Sequence, residues 1–148
     1  MLDIQKAIAG VASQGITCIK NADNPYFNSK YADLKTVVEA LKEPLKKAGL
    51  TYYFAPQEHA DNADARWMTC DLIVMDAKDS ISFSFPFSQT DPQKIGSALT
   101  YAKRYLLTTV FNVIAEEDDD GNEASDAQTK VTKKKPAVMT NVPKPNFF

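Results

Sequence analysis

The chain has 148 residues, 44% apolar and 24% charged, with a net charge of −2. That is enough for one domain with a packed core plus a tail, and it excludes both a wholly disordered chain and a simple polycation that coats nucleic acid. No run approaches the roughly 20 apolar residues of a membrane span, and two cysteines, Cys18 and Cys70, cannot build a disulfide framework. In chain order, Ile4, Ala7, Ile8 and Val11 recur at helical spacing and predict a first helix over about 2–13. Residues 16–20 are ambiguous. Residues 21–30, rich in Asn and carrying Pro25, read as a loop. Leu34, Val37, Val38, Leu41, Leu45 and Ala48 form a second helical stripe that Gly49 stops, with Pro44 expected to kink it.

The middle of the chain reads as β. Residues 50–55 form one strand, and 67–75 another in which Met68, Cys70, Leu72 and Val74 share a face. Asp76 to Asp79 is a polar hairpin turn. Beyond it Ile81, Phe83, Phe85 and Phe87 alternate with Ser80, Ser82 and Ser84, so one face is core and the serine face is solvated or partner-facing. Pro86 argues for a strand at the sheet edge or near its own end. Asp91 followed by Pro92 is the N-cap and first turn of a last helix. Its core stripe is Ile95, Ala98, Leu99, Ala102, Leu106, Val110 and Val113. A second stripe comprises Lys94, Ser97, Tyr101, Arg104 and Thr108, with Thr100, Lys103 and Leu107 beside it. The order predicts an α+β fold: a small antiparallel three-stranded sheet, a β-β-β-α core, packed by helices.

Charge is unevenly placed. Residues 1–115 hold 12 basic and 12 acidic side chains; residues 116–126 hold 7 acids and no base; residues 127–148 hold 5 lysines and no acid. The last block, with Lys133 to Lys135 and three prolines, reads as a disordered tail. The expected division is therefore a folded domain over 1–122 and a lysine- and proline-containing tail over 123–148. Met1 to Lys6 lacks the basic start and apolar block of a secretory signal, so the expected location is the cytoplasm, with reduced thiols.

Several chemistries find no residues to carry them. The one histidine, His59, sits in a polar stretch, Gln57 to Asp64, that reads as a solvated loop. The His and Cys count rules out histidine-rich and cysteine-zinc sites. Gly10 and Gly15 have phosphate-loop spacing, but Ile16-Thr17 follows where Lys-Ser/Thr is required. No catalytic residue, metal or cofactor is expected. The acidic run Glu116 to Asp120 lacks the convergence from separate elements that a two-metal nuclease site needs. It reads as a solvated charge run, and repulsion of misplaced DNA, a basic partner or weak ion binding remain open for it.

Two places carry candidate function. On the last helix, Lys94, Lys103 and Arg104 can meet phosphates while Tyr101 and Tyr105 stack on bases, a combination suited to single-stranded nucleic acid. The plain alternative is an amphipathic face whose tyrosines finish the core rim. In Asn24 to Tyr31, three aromatics and a lysine fall within eight residues. The alternative there is that Tyr26, Phe27 and Tyr31 pin the loop to the core.

The stretch Gly96-Ser97-Ala98-Leu99-Thr100-Tyr101-Ala102-Lys103-Arg104-Tyr105, followed by Asp118-Asp119-Asp120-Gly121-Asn122, resembles the signature of the Erf (essential recombination function) family of phage-type single-strand DNA annealing proteins. Phe27 to Leu34 and Leu45 to Leu50 are similar to that family's N-terminal pattern, and the resemblance covers about residues 20–122. It implies sequence-independent binding of single-stranded DNA and ATP-independent annealing of complementary strands in homologous recombination. It also implies a homo-oligomer, ring or filament, in the cytoplasm of a bacterial host, with a phage or host recombination protein as a further partner and no membrane. By position it assigns DNA binding to Lys30, Tyr31, Thr100, Tyr101, Lys103, Arg104 and Tyr105, which join Lys94 from the helix pattern. The alternative is a passive single-stranded DNA-binding protein that protects strands without annealing them. A nuclease using Asp118 to Asp120 and an interaction adaptor are the readings from other classes.

Overall fold

The computed structural model describes residues 3–62, 65–88 and 91–116, with residues 60–62 and 65–66 described by their backbone. The elements run α1 (Asp3–Ala12), β1 (Thr17–Ile19), β2 (Ala22–Asn24), β3 (Ser29–Tyr31), α2 (Leu34–Lys47), β4 (Thr51–Asn62), β5 (Ala65–Met75), β6 (Ser80–Phe87), α3 (Pro92–Val110) and β7 (Ile114–Glu116). The fold is α+β, and its main sheet has three antiparallel strands in the order β4-β5-β6, as the alternation predicts. The acidic residues after Glu116 and the tail lie outside the described residues, and so does the boundary expected near Asn122.

Period-two patterning puts Cys70, Leu72 and Val74 of the central strand on one face, all at 0% exposure. Ile81, Phe83, Phe85 and Phe87 of β6 flank them half-buried, and the serines between are exposed. Helix α3 lays Ala102, Leu106 and Leu107 on this face, and α1 and α2 complete the core with Ile4, Val11, Val37 and Leu41. Each such aliphatic side chain contributes about 1.5–3 kcal/mol when fully buried. Leu107, read as lying beside the polar stripe, is fully buried. The apolar arc of α3 is wider there than a single stripe, as suits a helix covered by a sheet on one side and α2 on the other.

Caps end the helices where their chemistry requires. Asp33 accepts the Thr36 N–H at 2.8 Å at the start of α2, and Asp91 accepts the Gln93 N–H at 3.0 Å at the start of α3. Gly49, at φ +69°, follows the last turn of α2, and Asn112, at φ +50°, turns the chain out of α3. Helix α2 continues through Pro44 to Lys47, and the Pro44 carbonyl accepts the Ala48 N–H.

Three readings of the sequence need correction. The segment 21–30 is a hairpin: β2 and β3 pair antiparallel with Ala22 opposite Tyr31 and Asn24 opposite Ser29. The Asn24 side chain accepts the Tyr26 N–H at 2.9 Å, and Asn28 at φ +43° closes the turn. The ambiguous residues 16–20 contain β1, which pairs in parallel with β7, a strand too short to show a period. His59 lies on β4 opposite Trp67, its ring stacked on the indole at 4.2 Å and its Nε2 3.0 Å from the Thr69 hydroxyl. A polar strand end has the composition of a loop, so the composition of Gln57 to His59 does not distinguish the two.

Candidate functional site

The hairpin and the polar face of α3, far apart in sequence, meet in space. Tyr31 at the end of β3 sits half-buried beneath Arg104, whose guanidinium carbon is 4.2 Å from the Tyr31 ring centre. The same guanidinium lies 5.6 Å from the Tyr101 ring and 5.8 Å from the Tyr105 ring. Its Nη1 donates to the Ala32 carbonyl over a long 3.5 Å. Arginine suits such a place because its planar, weakly hydrated cation stacks on rings while keeping donor edges free. Below, the base of the hairpin is tied down by a reciprocal pair: Asn21 Nδ2 donates to Asp33 at 3.0 Å, and the Asp33 N–H donates to Asn21 Oδ1 at 2.9 Å. The Thr36 N–H, first, and the Asn21 amide hold the Asp33 carboxyl below its ordinary range.

Tyr101 and Tyr105, one helical turn apart, stack with ring centres 4.3 Å apart. Phe85 of β6 lies 6.1 Å from one and 6.0 Å from the other. The tyrosines therefore do finish the rim of the core, yet they remain 45% and 42% exposed, so part of each ring is open to solvent. The hydrogen bond of the Tyr101 hydroxyl with Tyr105, with burial adding to it, pushes Tyr101 above the usual phenol value; Arg104 acts in the opposite direction. Thr108 and Thr100 turn their hydroxyls back to helix carbonyls, Thr100 donating to Gly96 at 3.0 Å.

This cluster separates two clefts. One, of about 420 Å³, has the cationic side chains of Lys20, Lys30 and Arg104 along its walls together with Tyr105 and Thr108. The other, of about 510 Å³, runs between Pro25, Tyr26 and Phe27 of the hairpin tip and Ser97, Thr100 and Tyr101 of α3. Asn24, Phe27, Tyr31, Tyr101 and Arg104 line both, so they form the partition.

Of the residues expected to bind DNA, Lys30, Tyr31, Thr100, Tyr101, Arg104 and Tyr105 are thus brought together. Lys94 and Lys103 line neither cleft. Lys94 faces Asp91 at 4.0 Å in the first turn of α3, and the Lys103 ammonium lies 5.5 Å over the Phe54 ring on the flank facing β4. Tyr26 and Phe27 do not pin the hairpin, being 87% and 78% exposed; Tyr31 alone of the three does so. Lys20 is a lining residue that the sequence did not single out, while Asn24 and Thr108 belong to the two candidate segments without having been assigned to DNA. Only the aromatic density of the hairpin hinted that its tip mattered.

Among the described residues no group of three or more His, Cys, Asp or Glu side chains is placed to hold a metal ion. No helix among them is long and apolar enough to cross a membrane. Burial pushes the Cys18 and Cys70 thiols above their ordinary value, Glu116 adding to the effect at Cys18.

Comparison with curated proteins and with solved structures finds no match to this chain. A family model does match, over residues 4–144, wider at both ends than the span of the motifs read from the sequence. With the match running over nearly the whole chain, the protein belongs to the ERF superfamily, the phage-type recombination and annealing proteins.

Proposed function

We propose that the protein binds single-stranded DNA without sequence preference and anneals complementary strands without nucleotide hydrolysis. The observation that carries this reading is the partition itself: a guanidinium stacked among Tyr31, Tyr101 and Tyr105, between a cationic cleft and an aromatic one. Single-strand binders combine cations that follow the phosphates with rings that accept any base. An annealer has a further requirement. It must hold a strand by its backbone and by the faces of its bases, leaving the Watson–Crick edges free to find a complement. Lys20, Lys30 and Arg104 supply the first contact, and the exposed parts of Tyr101 and Tyr105 the second.

Near-equality of acidic and basic side chains over residues 1–115 supports moderate binding and release of duplex rather than tight coating. Each phosphate neutralised in a single strand contributes about −0.7 to the slope of log affinity against log salt. An oligomer belongs to the same proposal. Strand β6 is an edge of the main sheet with an exposed serine face, a place where a second copy can add.

The test uses two complementary dye-labelled oligonucleotides and the full chain, without ATP, at low and moderate salt. Pairing well above the spontaneous rate is expected. Binding without acceleration would make the protein a passive single-stranded DNA-binding protein, and absence of binding at either salt would refute the reading.

A further inference from the structure

Resting on the single-strand reading, we propose that Tyr26 and Phe27 at the hairpin tip form a separate subsite for an unstacked nucleobase, and that this subsite selects single strands over duplex. Two large aromatic side chains, 87% and 78% exposed, stand at the tip of an ordered turn. Exposing them costs apolar burial with no return in core packing. The turn that presents them is specified locally, by the Asn24 side chain accepting the Tyr26 N–H and by Asn28 in the left-handed region. Its base is anchored by the Asn21–Asp33 pair and by Arg104 on Tyr31. The backbone of the tip is therefore held, so that on binding only the two side chains remain to be ordered.

The chemistry on the two sides of the partition differs. The cleft with Lys20 and Lys30 is suited to phosphate. The cleft beneath Tyr26 and Phe27 is walled opposite by Ser97, Thr100 and Tyr101, and the one carboxylate lining it among the described residues, Asp33, is engaged as the α2 cap. A flat π-face with small polar neighbours suits a base, since every base has a face to stack whatever its edge. A strand lying across Arg104 would place its backbone on one side and turn a base into the other. Bases inside a duplex already stack on each other and cannot enter, whereas duplex phosphates remain available to the cationic side. Selectivity for single strands then comes from the tip, and salt-dependent affinity from the lysines and arginine.

Fluorescence anisotropy with the full chain separates the two contributions. Three probes are used: oligothymidylate, an abasic phosphodiester of equal length, and a duplex of equal length. Wild-type protein is expected to bind oligothymidylate more tightly than the abasic strand. The double variant Tyr26→Ala with Phe27→Ala is expected to lose that difference, roughly five- to a hundredfold for each stacking ring removed. Its salt slope should match wild type, and because Phe27 also lines the cationic cleft, its affinity for the abasic strand and for duplex should fall far less than its affinity for oligothymidylate. Tyr26→Phe should keep the difference, because the ring and not the hydroxyl does the stacking. Equal wild-type affinity for oligothymidylate and the abasic strand would overturn the subsite while leaving DNA binding intact. So would an equal loss on both strands in the double variant. A changed sedimentation coefficient of the double variant without DNA would make the tip a contact between copies and overturn the subsite also. Wild-type protein that binds no strand at all would instead refute the function on which the subsite rests.

Discussion

Replacing Arg104 by alanine probes the partition most directly, because one side chain there has two separable duties. The first is structural. The guanidinium packs 4.2 Å over the Tyr31 ring, with Tyr101 and Tyr105 farther off at 5.6 and 5.8 Å. A half-buried cation–π contact is worth about 1 kcal/mol. The 3.5 Å hydrogen bond to Ala32 adds little at that length. A loss of about 1 kcal/mol lowers the melting temperature of a domain of this size by roughly 4 °C, so the variant stays folded. The second is the duty proposed for it, a charge toward a phosphate. A charge-assisted hydrogen bond is worth about 1.5–3 kcal/mol, so single-strand affinity should fall roughly ten- to a hundredfold. The salt slope should shrink by about 0.7. Arg104→Lys restores the charge without the planar fork, so it should recover the slope but not the full melting temperature. Anisotropy titrations across salt, beside thermal melts, read both duties. A lowered melting temperature with unchanged affinity and slope would show that Arg104 only packs the hairpin. An unchanged melting temperature would show that the stacking on Tyr31 contributes nothing.

Four other outcomes follow from the same geometry. Gly96→Ala should raise the melting temperature: a Cβ there meets nothing within 4 Å, and alanine gains about 1 kcal/mol over glycine inside a helix; destabilisation in thermal melts would contradict this. Phe111→Ala should cost about 3–5 kcal/mol in urea unfolding, since this ring at the end of α3 is at 0% exposure. Asp33→Ala should cost about 1 kcal/mol as a lost N-cap, while Asp33→Asn keeps the cap. Because the folded-state Asp33 carboxyl titrates below its unfolded value, its contribution is present above roughly pH 4 and lost as pH falls through the folded value; melts from pH 7 to pH 3 should show a shallower acid limb in Asp33→Asn. Cys18 and Cys70 should react with a thiol reagent at pH 8 far more slowly in the native protein than after unfolding, because both are buried with raised pKa; fast native labelling would refute their burial.

Much of the fold was legible because its long elements bury one face. The serine–phenylalanine alternation of β6, the stripe Val37-Leu41-Leu45 and the Asp91-Pro92 start of α3 each state their period or their cap within a few residues. The three-residue strands β1, β2, β3 and β7 carry no period, and β1 finds its partner only after the whole domain has been traversed. His59 and the outer half of β4 read as a loop because the strand is polar where it leaves the core.

Local patterning established the α+β class, the helix that carries the Erf-like stretch, and a set of basic and aromatic side chains on that helix and around residues 24–31. Local periodicity and residue chemistry suffice for such inferences, since each depends on neighbours within a turn or a strand. Only the packing of the chain brings the two groups side by side. Nothing in the spacing of Tyr31 and Arg104 announces a contact between them. It arises because α2 and α3 pack together, the hairpin is anchored at the start of α2, and Arg104 can then reach over Tyr31. The same packing sent Lys94 and Lys103 elsewhere and left Tyr26 and Phe27 facing solvent, because residues on one helix face or in one turn diverge once neighbouring elements claim part of that surface.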